Sequence, residues 1–242
     1  MSPTILVVEH EAKCPPAHVG TWLADAGCRV EVCRPWAGDA LPDPTSYDAL
    51  LVLGGSMSAH DDATHPWLAP VKELFRTAAD RGTPALGICL GHQLAAVAFG
   101  ATVEPNPRGQ QLGVLDVGWL PTAHADPLFA EARPARGIQW NDDVLTALPD
   151  GAVLLAATAH EEPQVVRFAH TVWGVQLHPE ADEHVAGEWA LGDRDRHLER
   201  GVDQAALLRQ VAGARAELDA GWRPVFDRFA QLARAGAGSS GP

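Results

Sequence analysis

"GTPALGICLGHQLAAVAFGA" (residues 82–101) starts at a turn glycine, runs through a short apolar stretch and passes at Cys89 into a small-residue amphipathic run. It reads as strand, tight turn and helix, with the helix expected over Leu90 to Phe99. Gly87 and Gly91 flank Cys89, and G-x-C-x-G at such a junction is the cysteine counterpart of a serine nucleophile elbow. Side chains larger than glycine would collide with the neighbouring strand or helix in so sharp a turn. Two readings of Cys89 compete. A core thiol is the usual fate of a cysteine; the alternative is a nucleophile lifted above a sheet, its thiolate favoured by the positive end of the helix.

The flanking sequence supplies the sheet. "TILVVEH" (4–10) and "DALLVLGG" (48–55) are short branched apolar runs of the kind found in buried parallel strands. Between them "AHVGTWLADAG" places Val19, Trp22, Leu23 and Ala26 on one helical face, followed by the strand-like "CRVEVC". "HPWLAPVKELFRTAADRG" repeats the pattern with Trp67, Val71, Leu74, Phe75 and Ala78, and Gly82 closes that helix. Such alternation predicts an α/β fold: a doubly wound, mostly parallel sheet with helices on both faces. "QQLGVLDVGWL", "AVLLAATA", "PQVVRFAH" and "TVWGVQL" predict an antiparallel or mixed extension of that sheet. From Ala181 the chain turns helical, with two amphipathic helices expected to divide at "GWRP". One domain is expected over residues 1–236, with 181–236 as its helical C-terminal part and 237–242 as a flexible tail.

The 242 residues carry a formal charge of −13, which leaves no basic stripe for nucleic acid or an anionic membrane surface. There is no apolar run of membrane-spanning length and no leader pattern, and four cysteines without a CxxC pair favour free thiols. A cytoplasmic protein with a small-molecule substrate or a protein partner is the expectation.

A cysteine nucleophile needs a base and a group to orient it. "WGVQLHPE" offers His178 at the end of a strand pattern and Glu180 two residues later; alone it would read as a turn with a solvated glutamate. An oxyanion site needs backbone donors. The strand end Gly54-Gly55 can turn an N–H toward the elbow, and Leu90, next to the nucleophile, can supply the second.

In this order the motifs resemble those of the class I, triad-type glutamine amidotransferases, particularly the free-standing proteins similar to the glutaminase domain of GMP synthase. "LVLGGSMSAHDD", "PALGICLGHQLAAVAFGA", "ALPDGAVLLAAT" and "WGVQLHPE" carry the resemblance, over residues 4 to 180. It implies a flavodoxin-like architecture with Cys89 as nucleophile, His178 as acid/base and Glu180 as third triad member. It also implies Gly55 and Leu90 as oxyanion donors, with Gly54 and Gln93 at the substrate. Two positions depart from the pattern: Asn141 in "QWNDDV" stands where relatives carry histidine, although Asp143 still matches, and Gln111 stands near a usual glutamate. The implied activity is hydrolysis of the glutamine γ-carboxamide, without a cofactor. No nucleotide fingerprint is present, so ammonia would pass to a separate synthetase. The alternatives are a free-standing γ-glutamyl hydrolase or peptidase, and a catalytically silent regulatory subunit.

Other features read as structural. "AHDDATH" (59–65) is a polar loop rather than a metal site, and "GDRDRHLER" (192–200) is a solvated run or helix end. Cys14, Cys28 and Cys33 are core or incidental thiols. Trp189, Trp222 and Phe226 are packing anchors, and His92 lies in the pocket or on the helix surface.

Overall fold

Residues in β1 (Thr4–Val8) and β3 (Ala49–Val52) are apolar on both sides, and their alternation feeds two separate cores. Ile5, Val7 and Leu51 point to one core; Leu6, Val8, Leu50 and Val52 point to the other. A strand with two apolar faces is stable only when covered on both, which forces helices onto each side of the sheet. The computed structural model describes residues 2–239 and has this arrangement. A seven-stranded sheet has the order β2-β1-β3-β4-β11-β10-β9, where β2 is Arg29–Cys33, β4 Ala85–Ile88, β9 Val153–Ala157, β10 Pro163–Ala169 and β11 Val172–Val175. The pairings from β2 to β11 are parallel, and β10 and β9 add antiparallel to that edge.

Helices α1 (Ala17–Asp25), α4 (Glu183–Gly192) and α6 (Gln204–Ser239) cover one face, burying Trp22, Leu23, Trp189, Trp222, Phe226 and Phe229. Helices α2 (Leu68–Arg81) and α3 (Leu90–Ala98) cover the other with Leu68, Val71, Phe75, Leu90 and Leu94. Gly82 closes α2 in the left-handed conformation, φ 68°, as the sequence suggests. The short helix α5 (Arg194–Glu199) follows α4.

Three expectations are corrected. Only β9, β10 and β11 extend the sheet. The run containing Gln111 forms β6 (Gln111–Asp116), which pairs antiparallel with β7 (Arg136–Asn141) as a separate ribbon, and β5 (Thr102–Pro105) pairs with β8 (Asp143–Ala147) as another. In α6 the Gln210 side chain accepts from Val114 N–H and donates to its carbonyl, and only the end of the run containing Gln111 touches the main sheet, in a single antiparallel bridge from Trp119 to Ala156 of β9.

Nor does "GWRP" divide the last helix: α6 runs unbroken through Pro224. An interior proline costs about 3 kcal/mol, but Trp222, Val225, Phe226 and Phe229 are all buried around it. Each such side chain contributes roughly 1.5–3 kcal/mol on burial, so packing outweighs the lost hydrogen bond. The helix also continues to Ser239, into the stretch expected as a tail; residues 240–242 lie outside the described residues.

Because Trp222 is 1% exposed and its indole donates to the Arg136 carbonyl at 2.9 Å, it ties α6 to β7. Trp222→Ala is expected to lower the unfolding free energy by about 3–5 kcal/mol in urea titration.

Candidate active site

The parallel strands β1, β3, β4 and β11 end on one edge of the sheet, and the chain segments leaving those ends build the site. The order β2-β1-β3 reverses direction at β1, so a crevice opens beyond the carboxyl ends there. Cys89, between β4 and α3, has φ 51° and ψ −106°, a conformation that costs a non-glycine residue about 1–3 kcal/mol. Its neighbours explain why the turn is so tight. A Cβ on Gly87 would stand 2.6 Å from the His92 backbone nitrogen, and one on Gly91 would stand 2.8 Å from the Val52 carbonyl carbon. The turn is pinned by Cys89 N–H donating to Val175 O at 2.8 Å and Gly91 N–H to Leu53 O at 3.1 Å.

The glycine pair after β3 also faces the elbow. A Cβ on Gly54 would lie 3.1 Å from His178 Cε1 and 3.6 Å from Cys89 Cβ; one on Gly55 would press on Leu90 Cδ2 at 2.9 Å. Neither Gly55 nor Leu90 N–H donates to a backbone carbonyl in the turns and loops of the described residues. Glu11, in the segment after β1, accepts from Ser56 N–H at 2.6 Å and from its hydroxyl at 3.0 Å, which holds the glycine turn in place.

His178 follows β11 and its backbone N–H donates to Ile138 O on β7. Its Nδ1 lies 2.6 Å from Glu180 Oε1, and the ring is also hydrogen-bonded to Cys89. All three side chains are buried. Burial by itself disfavours the imidazolium, but the neighbouring Cys89 and Glu180 side chains outweigh it and raise His178 to about 10. Trp189 of α4 packs on the imidazole with ring centroids 4.5 Å apart and donates from its indole to Lys13 O.

These groups open into a cavity of about 330 Å³. Cys89, His178, Gly55 and Gln93 line it together; Gly54 sits directly behind Cys89 and His178. Gln93 donates to Asp143 O at 3.1 Å and to Gln176 Oε1 at 3.3 Å. Asn141 and Asp143 line the same wall, and the two departures from the family pattern meet: Asn141 Nδ2 donates to Gln111 Oε1 at 2.9 Å. Burial raises the Asp143 carboxyl above its usual value, against a hydrogen bond from Ser58.

Several wall residues are not evident in the sequence. Asp193, within the stretch read as a solvated charge run, accepts from Trp140 Nε1 at 2.8 Å and Gln110 Nε2 at 3.0 Å. Arg196 of α5 makes a two-pronged ion pair with Asp142 across the rim. Cys14, read as a core or incidental thiol, is buried in the core and also lines the cavity, donating weakly to Glu11 Oε1 at 3.4 Å. Conversely, His92 is neither in the pocket nor on the surface: it is fully buried against Phe168 and Gly174, and burial lowers it to about 3. The loop 59–65 uses Asp61 to cap Ser58 and Asp62 to bind Lys72.

The Glutamine amidotransferase class-I family pattern matches residues 21–194, and the chain belongs to that family. A GMP synthase [glutamine-hydrolyzing] of Clostridium novyi is 31% identical over 173 residues, covering 70% of this chain and 29% of that protein. Gamma-glutamyl peptidase 4 of Arabidopsis thaliana is 28% identical over 146 residues, covering 59% of this chain and 57% of that one. The chain therefore spans less than a third of that synthase and just over half of the peptidase. A crystal structure of a glutamine amidotransferase from Thermotoga maritima superposes with a TM-score of 0.85 at 22% identity, covering 96% of this chain and 99% of that one, a likeness of fold. No helix among the described residues is long and apolar enough to cross a membrane.

A histidine whose folded value rises from 6.5 to about 10 contributes stability that is complete below about 6.5 and is lost as pH climbs through 10. Imidazole NMR titration should therefore show His178 protonated at pH 8. Glu180→Gln should move its midpoint downward, and an unmoved midpoint would mean that the carboxylate does not hold the charge.

Proposed function

We propose that this chain hydrolyses the γ-carboxamide of glutamine through Cys89, His178 and Glu180 and passes ammonia to a separate synthetase. The observation that carries the reading is the strained Cys89 turn, hydrogen-bonded to a histidine that is itself held at 2.6 Å by a buried carboxylate. A merely packed thiol requires neither the left-handed backbone nor the buried base.

The Cys89 thiolate attacks the γ-carbon, and the carbonyl oxygen, now bearing the charge, accepts from the N–H groups of Gly55 and Leu90. Each such donor is commonly worth about 3 kcal/mol in the transition state. The imidazolium of His178 gives its proton to the departing nitrogen, so that the C–N bond breaks and ammonia leaves a γ-glutamyl thioester. Neutral His178 then takes a proton from water as its oxygen attacks the thioester; glutamate departs and the proton returns to the Cys89–His178 pair. Glu180 fixes the ring and stabilises its charged form.

A second reading, a free-standing hydrolase of larger γ-glutamyl amides, is favoured by the cavity. At about 330 Å³ it lies at the lower end of the range of small-molecule sites, with room beside Cys89 for a substituent on the amide. The Arabidopsis relative, a gamma-glutamyl peptidase, points the same way. A silent regulatory role sits poorly with a complete and oriented triad.

Purified protein incubated with glutamine and with a panel of γ-glutamyl amides distinguishes the readings. Release of ammonia from glutamine, alone or on adding a synthetase, supports the first; preferential cleavage of a larger amide supports the second. Cys89→Ala should abolish both, and Glu180→Gln should reduce kcat by roughly two to four orders of magnitude. Undiminished turnover by Cys89→Ala would sink the mechanism.

A further inference from the structure

The glycine turn after β3 is anchored at both ends. On the strand side, Leu53 N–H donates to Val8 O at 3.0 Å and Leu53 O accepts from Gly91 N–H at 3.1 Å. On the far side, Ser56 N–H donates to Glu11 Oε1 at 2.6 Å and the Ser56 hydroxyl donates to Oε2 at 3.0 Å. Gly54 and Gly55 lie between these anchors, and Gly55 N–H donates to no backbone carbonyl in the turns and loops of the described residues. The strand-side anchor is made by backbone, whereas the far-side anchor is the carboxylate of one side chain.

Glu11 is itself held in place. Cys14 N–H donates to its carbonyl at 3.1 Å and closes a turn, and the Cys14 thiol donates to Oε1 at 3.4 Å. Lys13 Nζ lies 3.7 Å from Oε2. In the same turn Lys13 O accepts from the indole of Trp189, which packs on His178. One short segment after β1 therefore touches the glycine turn on one side and the cover of the imidazole on the other.

A Gly-Gly pair has a wider range of φ and ψ than other dipeptides, so the strand-side anchor alone leaves the chain free to swing about Gly54. The two-pronged anchor at Ser56 removes that freedom and fixes where the Gly55 nitrogen stands. Charge does not explain the carboxylate. A negative group bonded to the peptide next to an oxyanion donor opposes the charge that develops there, so what Glu11 supplies is position.

We infer that Glu11 is a positioning residue for the proposed oxyanion donor Gly55, holding the glycine turn through Ser56 in register with Cys89. The inference rests on the γ-glutamyl reading above and adds to it a residue that lies outside every motif carrying the family resemblance. A displacement of about 1 Å in a reacting site can cost roughly a hundredfold in rate, which sets the scale of the effect.

Glu11→Ala removes both acceptors. Glu11→Gln keeps a carbonyl of the same reach for Ser56 N–H, while its NH2 donates to the serine hydroxyl oxygen, so the anchor survives without the charge. Both variants and the wild type are assayed with L-glutamine and with γ-glutamyl-p-nitroanilide. Alkylation of Cys89 by iodoacetamide is measured alongside, because displacement at a saturated carbon forms no oxyanion and reports on the Cys89–His178 pair. Hydrogen exchange of the Ser56 amide, followed by NMR, reports on the anchor without turnover.

Glu11→Ala should lower kcat by about ten- to a hundredfold, with KM and the alkylation rate each within about twofold of wild type. Its Ser56 amide should exchange at least about tenfold faster, as an amide does on losing its acceptor. Glu11→Gln should recover kcat to within about threefold of wild type, since it retains the anchor. An unchanged kcat in Glu11→Ala would overturn the inference. So would equal losses of kcat and alkylation rate, which mark a site disturbed as a whole, or a Glu11→Gln variant as slow as Glu11→Ala, which assigns the role to charge. If the wild type turns over neither probe while Ser56 exchange follows the expected pattern, the catalytic reading fails and the hold of Glu11 on the glycine turn stands.

Discussion

The site depends on one close approach of backbones. Where α3 leaves β4, Gly91 lies against the end of β3 and Gly87 lies against the first turn of α3, with no room for a Cβ at either position. The same Leu53 carbonyl that accepts from Gly91 precedes the Gly54-Gly55 turn. One contact therefore places the proposed nucleophile and a proposed oxyanion donor relative to each other. The strain at Cys89 is offset nearby: Ile88, Leu90 and Leu94 are fully buried, and each contributes roughly as much as the distorted backbone costs.

Electrostatics at the site follow from enclosure. Glu180 and His178 are buried together, and Trp189 covers the ring, so water cannot screen the pair and each charge needs the other. That enclosure is assembled from distant parts of the chain. His178 is held by β7, its covering tryptophan by the carbonyl of Lys13, and the glycine turn by Glu11. Cys89 follows β4 and His178 and Glu180 follow the adjacent strand β11, but their surroundings come from β7, α4 and the segment after β1.

Much of the fold could be read from the sequence because β1, β3, β4 and the helices α1 to α3 are locally consistent, their periodicity, glycine stops and burial all agreeing. The ribbons β5–β8 and β6–β7 could not. Their short segments look like any other strand, and their pairing is decided by what α6 and the sheet edge leave available. The continuous α6 is a similar case, since a proline that would end an isolated helix is tolerated where aromatic side chains on either side are buried. At the site, short motifs marked Cys89, His178 and Glu180, and the fold brings these three buried side chains together. Asp193 and Arg196 were not, because a charged stretch carries no sign of whether it faces solvent or a cavity, and Cys14 looked like any buried thiol.

The sequence by itself determined the chemistry that could be present: a cysteine held on a glycine elbow, a histidine and a carboxylate in the right order, and a sheet with two apolar faces. These are local properties, set by φ/ψ limits and by the period of apolar residues. The tertiary structure decided what surrounds that chemistry. Asn141 and Gln111 are thirty positions apart, and the sequence marks each as a departure from the family pattern without showing that they touch. Their contact, set between the carboxylate of Glu162 and the backbone carbonyl of Asp143, determines which way those amides point, because hydrogen-bond direction is set by the donors and acceptors that folding brings together.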